Sequence, residues 1–274
     1  MFRTSLKLLF LSGFVFLLSF SLTCKKPDTP SYTDVDAIKD YINYHPDIFL
    51  ADVFDTSRAA TFFREITNKD YWIKINFHDT DSVHLLKSAD VSWEDSIQGV
   101  FHTFISGTGY KKNFKAFSRV QAYFEQWGNS GDLYRGWLLM KVSNVQIYSL
   151  STSVGFGNLR INTSDTSYYR SLSGLFELKN VLQLSKSTQV KFTIDRLDAT
   201  DRYYLHIYEG GAWKKIPFLQ EVGGDFSASW TTGFGTQDLN VYKHAYIDGL
   251  SSKTVDDSLS RYNSNAWGII YKIK

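Results

Sequence analysis

The alternation of apolar and polar residues predicts that the globular part of the chain begins with helices. From Thr33 the sequence TDVDAIKDYI places its apolar residues on one helical face, and Thr33 and Asp36 have the spacing of a capping box. A second helix is predicted over residues 56–67, because apolar side chains recur there at helical spacing: Ala59, Phe62, Phe63 and Ile66. After this segment the pattern changes from one typical of helices to one typical of strands.

Four segments rich in aromatic and β-branched residues follow, and glycine-containing stretches separate them. They are YWIKINF at 71–77, VFHTFIS at 100–106, SRVQAYFEQW at 118–127 and YRGWLLMKVSNVQIY at 134–148. This composition is typical of antiparallel strands. Because helices precede a run of strands, residues 34–149 are predicted to form an α+β domain with helices packed on one face of a curved antiparallel sheet.

Beyond Ser149 the pattern is that of strands alone. Apolar residues alternate with mostly polar ones at 190–195, 226–231 and 267–273, which indicates strands that are buried on one side. Gly210 and Gly211 lie between two apolar runs, a hairpin signal because glycine accepts the positive φ of tight turns. Residues 150–274 are therefore predicted to form an all-β sandwich domain.

The two halves resemble known folds. Residues 33–148 resemble the nuclear transport factor 2-like superfamily, in which N-terminal helices cover a sheet, and YRGWLLMKV is similar to the closing strand of that fold. The resemblance implies a cavity between helices and sheet. Candidate cavity residues for acid–base chemistry are Asp52, His102, Tyr123 and Tyr134. The second half resembles an immunoglobulin-like or jelly-roll sandwich.

An apolar run, LLFLSGFVFLLSF at positions 8–20, precedes the globular part and follows the basic residues Arg3 and Lys7. A membrane-spanning helix needs about 20 mostly apolar residues, and this run is shorter and is interrupted by serine and glycine. Residues 1–23 are therefore predicted to be a signal peptide.

The sequence SLTC at 21–24 resembles the lipobox of bacterial lipoproteins, although Ser21 and Thr23 stand where the usual pattern has Leu and a small Gly or Ala. The resemblance implies that the Cys24 thiol carries lipid. The polar segment that follows, residues 24–33 with two prolines, is predicted to be a tether. Lys25 rather than Asp follows the cysteine, which by resemblance to lipoprotein sorting rules favours the outer membrane.

Removal of the signal peptide changes the charge of the protein. The full chain has 30 basic and 28 acidic residues, and loss of Arg3 and Lys7 leaves 28 of each, so the mature chain has a formal net charge of zero. A neutral chain with interspersed charges does not fit nucleic-acid binding, which needs a basic patch. Because Cys24 is the only cysteine, no disulfide can form within the chain, and packing must supply the stability.

The mature sequence lacks the short motifs of nucleotide-binding and nucleophilic enzymes. Its three Gly-x-Gly pairs do not continue into a dinucleotide fingerprint, and they are interpreted as hairpin turns. Two oxygen-rich segments have residues that can ligate metals: His78, Asp79, Asp81 and His84 in the first, and Asp195, Asp198 and Asp201 in the second. Both lack the spacing of a defined metal site and are interpreted as solvated turns, so no metal or cofactor is predicted.

These observations predict a lipid-anchored protein of the bacterial cell envelope whose role is non-enzymatic: binding of a small molecule, a glycan or a protein, or interaction with the cell envelope. One alternative is an anchored enzyme that uses the cavity of the first domain. Another is glycan binding by the sandwich, with Trp213 near a hairpin turn and Tyr204 and Tyr208 on the preceding strand as a stacking platform. Trp230 and Trp267 alternate with smaller or polar residues and are predicted to be core.

Replacing the predicted lipid-attachment residue separates anchoring from folding. In Cys24→Ser the domains should fold as before, because no disulfide uses this residue, but the protein should leave the membrane fraction, since acyl chains supply the anchoring. Mass spectrometry of the mature N-terminus and detergent-free fractionation measure the two effects. A wild-type N-terminus that carries no acyl group would contradict the prediction.

Overall fold

The computed structural model describes residues 31–49, 51, 61–79, 87–196, 198–233 and 241–274. The predicted signal peptide, Cys24 and the cavity candidate Asp52 lie outside these ranges. The described part is mostly β-structure, with sixteen strands and three short α-helices. None of these helices has the length and apolar content needed to cross a membrane.

The helices are α1 (Asp34–Tyr44), α2 (Pro46–Phe49) and α3 (Ser252–Asp256), and two short 3₁₀ turns lie at Leu133–Gly136 and Leu178–Asn180. The capping box predicted for α1 is confirmed. The amide of Asp36 donates to the Thr33 hydroxyl at 3.2 Å, and the amide of Thr33 donates to the Asp36 carboxylate at 2.8 Å. This reciprocal cap satisfies amide groups that have no partner within the helix.

In chain order the strands are β1 (Phe62–Asp79), β2 (Lys87–Ile105), β3 (Thr108–Gln126), β4 (Trp137–Val142), β5 (Val145–Ser149), β6 (Phe156–Asn162), β7 (Ser167–Arg170), β8 (Phe176–Glu177), β9 (Leu182–Leu184), β10 (Gln189–Arg196), β11 (Arg202–Glu209), β12 (Ala212–Pro217), β13 (Leu219–Gln220), β14 (Phe226–Thr231), β15 (Tyr242–Leu250) and β16 (Ser264–Ile273). They form two sheets. The larger follows the order β1-β2-β3-β5-β16-β15-β11-β12, with β4, β8 and β9 attached at its side. The smaller follows the order β13-β14-β10-β6-β7.

The predicted helix over residues 56–67 is wrong for its described part. Residues 62–67 belong to β1, which pairs antiparallel with β2 so that Phe62 lies opposite Thr103. Phe62 and Arg64 point inward while Glu65 is exposed, which is the two-residue period of a strand. Aromatic and β-branched residues fit either element locally, and pairing with a strand far along the chain decided the outcome.

The predicted α+β fold class of residues 34–149 is wrong as well. This half consists of two long antiparallel hairpins with two short helices, not of helices that cover one face of a sheet. The larger sheet also joins the two halves, because β5 pairs antiparallel with β16. The β-rich architecture is compatible with the sandwich predicted for the second half.

Two apolar cores lie on opposite faces of the larger sheet. The first contains residues of α1, α2 and the long hairpins, and the second contains side chains from both sheets. Strand β16 contributes to both, since Ile270 packs in the first core and Ile269 and Tyr271 pack in the second. The one-sided burial expected for β16 is therefore wrong.

The larger sheet is curved enough for its two edge strands to approach each other. The ammonium of Lys215 on β12 donates to the carbonyl of Phe62 on β1 at 2.6 Å. The ring of Tyr204 on β11 meets the Phe62 ring edge-on, with centroids 4.9 Å apart. The hairpin that joins β11 to β12 turns at Gly210 and Gly211, both with positive φ as expected from the sequence.

His244 on β15 is fully enclosed by the first core and its neighbours. Burial lowers the pKa of its imidazole from 6.5 to about 4, although the Ile48 carbonyl accepts a hydrogen bond from the ring and opposes the shift. The folded pKa lies below the unfolded one, so the unfolded chain binds the proton more tightly. Stability is therefore complete above pH 6.5 and falls as the pH decreases toward about 4.

The variant His244→Gln tests this acid sensitivity, because glutamine keeps a donor for the Ile48 carbonyl but does not titrate. Between pH 7 and pH 5 the wild-type free energy of unfolding should fall by about 2 kcal/mol through this group alone. In His244→Gln that part of the loss should disappear, whereas the control His78→Gln, at an exposed histidine, should keep it. Urea unfolding at pH 7 and at pH 5 measures the free energy of unfolding of each variant. An equal loss between the two pH values in wild type and His244→Gln would contradict the prediction.

Candidate functional site

A cleft of about 570 Å³ opens between the smaller and the larger sheet, and we call it the inter-sheet cleft. Its walls come from β6, from the segment after β7 and from the first part of β16. Polar lining is supplied by Asn158, Asn265 and two serines, Ser171 and Ser173, and apolar lining includes the indole of Trp267. None of the described residues that line it is ionisable. Its size is within the range of about 300–1,000 Å³ that small-molecule sites occupy.

The amide of Asn265 is the most informative group of this cleft. Its side chain is 9% exposed, and its Nδ2 donates to the carbonyl of Val154 at 3.1 Å. Because a carbonyl only accepts, this bond fixes which way the amide faces. Its Oδ1 is buried and has no hydrogen-bond partner among the described residues. A buried acceptor left unpaired costs about 1–3 kcal/mol, so any hydrogen-bond donor that reaches Oδ1 recovers free energy there.

A second buried amide lies behind the cleft wall. Asn144 donates from Nδ2 to the carbonyl of Leu172, which lines the cleft, at 3.3 Å. Its Oδ1 likewise has no partner within the described part of the chain. The cleft wall at Leu172 is therefore held by an asparagine whose amide nitrogen is bonded and whose amide oxygen has no partner among the described residues.

On the opposite wall, Asn158 is held in place by Asp195 of the neighbouring strand β10. The Asp195 carboxylate accepts from the Asn158 backbone amide at 3.4 Å and from its Nδ2 at 2.8 Å. Gly157 makes this approach possible, since a Cβ at that position would lie 2.6 Å from the Asp195 Cβ. The two bonds hold the backbone and the amide side chain of Asn158 at the edge of the cleft.

A separate group of charged side chains is buried inside the curve of the larger sheet. The Arg64 guanidinium on β1 lies 2.9 Å from the Asp248 carboxylate on β15, and Nε2 of His206 on β11 lies 3.2 Å from the same carboxylate. Arg64 also donates to the Tyr262 hydroxyl at 2.8 Å. Ser264 donates to that hydroxyl at 2.7 Å. We call Arg64, His206, Asp248 and Tyr262 the buried ionic cluster.

Electrostatics keep the Asp248 carboxyl ionised. Burial alone would raise its pKa, but the positive charge of Arg64 and the contacts with His206 outweigh that effect, and the pKa is lowered. For Tyr262, burial dominates and raises the pKa of the phenol, so the hydroxyl stays neutral. Arg64, His206 and Asp248 are each at most 5% exposed. The cluster therefore joins β1, β11 and β15 and does not face the solvent as a substrate site would.

The structure does not bring together the cavity residues implied by the first resemblance. His102 pairs with Glu65 at 2.9 Å, and its ring stacks on Phe63. Along β3, Tyr123 lies twelve residues from the partner of His102, Lys111, a separation of about 40 Å at the strand rise. Tyr134 lies in the 3₁₀ turn before β4. These groups cannot share one reaction centre.

The aromatic platform proposed for sugar stacking is not exposed as a unit. Trp213 is half-buried and meets the rings of Tyr208 and Tyr246 edge-on, at 5.3 Å and 5.9 Å between centroids. Tyr204 is half-buried against Phe62. The prediction that Trp230 and Trp267 are core is confirmed, and Trp267 in addition forms part of the inter-sheet cleft.

The predicted oxygen-rich turns engage protein groups. His78 pairs with Asp90 at 2.9 Å, and Asp198 accepts from the amide and the hydroxyl of Thr200 at 2.8 Å each. Asp195 holds Asn158, as described above. Asp81 and His84 lie outside the described residues. Within those residues no three His, Cys, Asp or Glu side chains gather closely enough to hold a metal ion.

No protein-family model and no curated protein matches the chain.

The residues that sequence reasoning missed are Asn265 and the buried ionic cluster. A usable signal existed for the cluster, because Arg64 and Asp248 interrupt apolar runs in FFREI and AYIDGL. Nothing in the sequence singled out Asn265.

The buried ionic cluster predicts a large difference between breaking and replacing an ion pair. Arg64→Leu leaves the Asp248 carboxylate without its main positive partner and should lower the free energy of unfolding by about 3–5 kcal/mol. The double variant Arg64→Leu/Asp248→Leu should be more stable than Arg64→Leu, because no buried charge is left uncompensated.

Urea unfolding measures both effects, and Arg202→Leu is the matched control. Arg202 and Asp256 form a half-exposed pair, so its loss should change the free energy by less than about 1 kcal/mol. If Arg64→Leu is no more destabilising than Arg202→Leu, the assigned role of the cluster is wrong.

Proposed function

We propose that this protein is a lipid-anchored protein of the bacterial envelope that binds a neutral, hydroxyl-rich ligand of the carbohydrate class in the inter-sheet cleft. The anchoring part rests on the signal-like run and the lipobox-like SLTC that ends at Cys24. The binding part rests on the unpaired Oδ1 of the buried Asn265. Asn265 lines a cleft whose other polar side chains carry amides and hydroxyls.

The chemistry of the lining supports a sugar over other small molecules. A sugar ring presents hydroxyl groups that donate and accept, together with apolar C–H faces. The cleft is lined by asparagine amides on two walls, by two serines and by the indole of Trp267, and both amides are held by hydrogen bonds from their Nδ2 atoms. The absence of ionisable groups among its described lining residues favours a neutral ligand, because a charged one would lose hydration without gaining a counter-charge.

The same lining supports binding and not hydrolysis. Hydrolysis of a glycosidic bond ordinarily requires two carboxyl groups that flank the bond, about 5–9.5 Å apart. The described lining contains no carboxyl group, and the adjacent Asp195 already accepts two hydrogen bonds from Asn158. Glycan binding was one of the alternatives that the sequence suggested, with Trp213 in the binding surface. The proposal keeps that class of ligand but places the binding site in the inter-sheet cleft.

The test is titration of the full-length protein in detergent with neutral oligomers of glucose, mannose and N-acetylglucosamine. Asn265→Ala removes the unpaired acceptor and Asn158→Ala removes the acceptor on the opposite wall. Each should weaken the binding of the oligomer found to bind by about tenfold or more, equivalent to about 1.4 kcal/mol.

Asn113→Ala is the matched control, because Asn113 is an exposed amide that lines a different cleft, near α3. It should leave the affinity unchanged. The proposal fails if none of the neutral oligomers binds, or if Asn265→Ala and Asn158→Ala bind the oligomer as tightly as the control does.

A further inference from the structure

Five large apolar side chains are exposed near the point where the tether enters the fold. They are Tyr32, Tyr44, Trp127, Leu133 and Leu138, and we call them the tether-side patch. Their exposed fractions range from 45% for Tyr32 to 79% for Leu133. Single exposed apolar residues are common, but a contiguous group marks a surface that is covered by something else.

Contacts in the structure show that one half of the patch is continuous. The Arg135 guanidinium donates to the carbonyl of Tyr32 at 3.1 Å, which brings the loop before β4 against the start of α1. The ring of Tyr134, next to Leu133, lies 6.2 Å from the ring of Tyr44 at the end of α1. Tyr32, Tyr44 and Leu133 therefore lie around the segment Tyr134–Arg135, which contacts both ends of α1.

The other half is joined to the same loop. The amide of Trp127 donates to the carbonyl of Gly136 at 3.0 Å, which closes the loop between β3 and β4. The Trp127 indole donates to the Glu125 carboxylate at 2.9 Å, and Glu125 lies opposite Leu138 in the β3–β4 pair. Trp127 and Leu138 thus share the outer face of this pair, opposite the face on which Phe124 contacts α1, and the loop that connects the two strands carries Leu133.

The loop that carries Leu133 is held in an unfavourable backbone conformation. Tyr134 and Arg135 have φ values of 48° and 53°, and Gly136 follows with 75°. Each non-glycine residue in this region costs about 1–3 kcal/mol. The turn is held by Gln126, which donates to the Arg135 carbonyl, and by Asp34, which pairs with the Arg135 side chain at 2.7 Å. The fold thus maintains a strained turn next to a leucine that is not used in the core.

The tether fixes which end of the molecule lies near an anchored lipid. Tyr32 is held to the body, since its hydroxyl donates to Asp40 at 2.8 Å and its carbonyl accepts from Arg135. Cys24 is eight residues earlier, and eight residues span at most about 28 Å when fully extended. From Gln126, beside the patch, to Asn113, on the far cleft, β3 covers about 43 Å.

We propose that the tether-side patch rests on the surface of the lipid bilayer that holds the acylated Cys24. Tyrosine and tryptophan favour the headgroup level, and leucine favours the edge of the acyl region. Lys25 and Lys26, directly behind the cysteine, suit an anionic lipid surface. This inference rests on the lipid attachment in the proposed function, and it adds an orientation in which the far end of β3 points away from the membrane.

The test uses the full-length acylated protein reconstituted in vesicles of phosphatidylethanolamine and phosphatidylglycerol. Because acylation blocks Cys24, a new cysteine is the only free thiol, and Leu133→Cys can be labelled with an environment-sensitive fluorophore. The control is Leu259→Cys, another exposed leucine, which follows α3. We expect a blue-shifted emission and quenching by lipids with nitroxide-labelled acyl chains at position 133, and neither at position 259.

Two outcomes overturn the inference: equal emission and quenching at the two positions, or stronger quenching at position 259. A second variant gives an independent check, since Leu138→Ser should reduce quenching at position 133, whereas Leu219→Ser, at an exposed leucine of the smaller sheet, should not. Mass spectrometry of the same samples separates the two proposals. An unacylated N-terminus means that the proposed anchoring fails, and an acylated protein without quenching at 133 means that only the orientation fails.

Discussion

Strand β16 is hydrogen-bonded along both edges and buried on both faces. It pairs with β15 on one side, and with β5 and then β9 on the other. Ala266 and Ile270 pack in the first core, and Trp267, Ile269 and Tyr271 pack in the second. Gly268 permits this density, since a Cβ there would lie 2.6 Å from the Tyr246 ring. The curved sheet, the second core and the inter-sheet cleft all depend on this one strand.

Features that neighbouring residues determine could be predicted from the sequence. The capping box of α1 needs only Thr33 and Asp36, and the β11–β12 hairpin needs only its two glycines. The alternation of Val190, Phe192 and Ile194 also matches their burial in β10. Where a local pattern fitted two elements, as at residues 62–67, the prediction was wrong, because pairing with β2 decides the structure.

The candidate site was harder to predict, because its members come from distant parts of the chain. Asn265 bonds to Val154, and Asn158 bonds to Asp195. Whether both the nitrogen and the oxygen of an asparagine amide find hydrogen-bond partners depends on such distant neighbours. No spacing of residues in the sequence reveals these partners. Trp267 could be recognised as core, but its second role as a wall of the cleft follows only from the meeting of β16 and β6.

The central position of β16 has a consequence for the order of folding. Its partner Tyr148 precedes Asn265 by more than one hundred residues, and all other strands described here come earlier in the chain than β16. Pairings this distant close slowly, because a long loop loses conformational entropy before the contacts form. The hairpins β1–β2–β3 can form early, but they expose the first core until β16 has been synthesised and inserted. A chain that completes its sheet this late remains incompletely folded until its most distant contacts have formed.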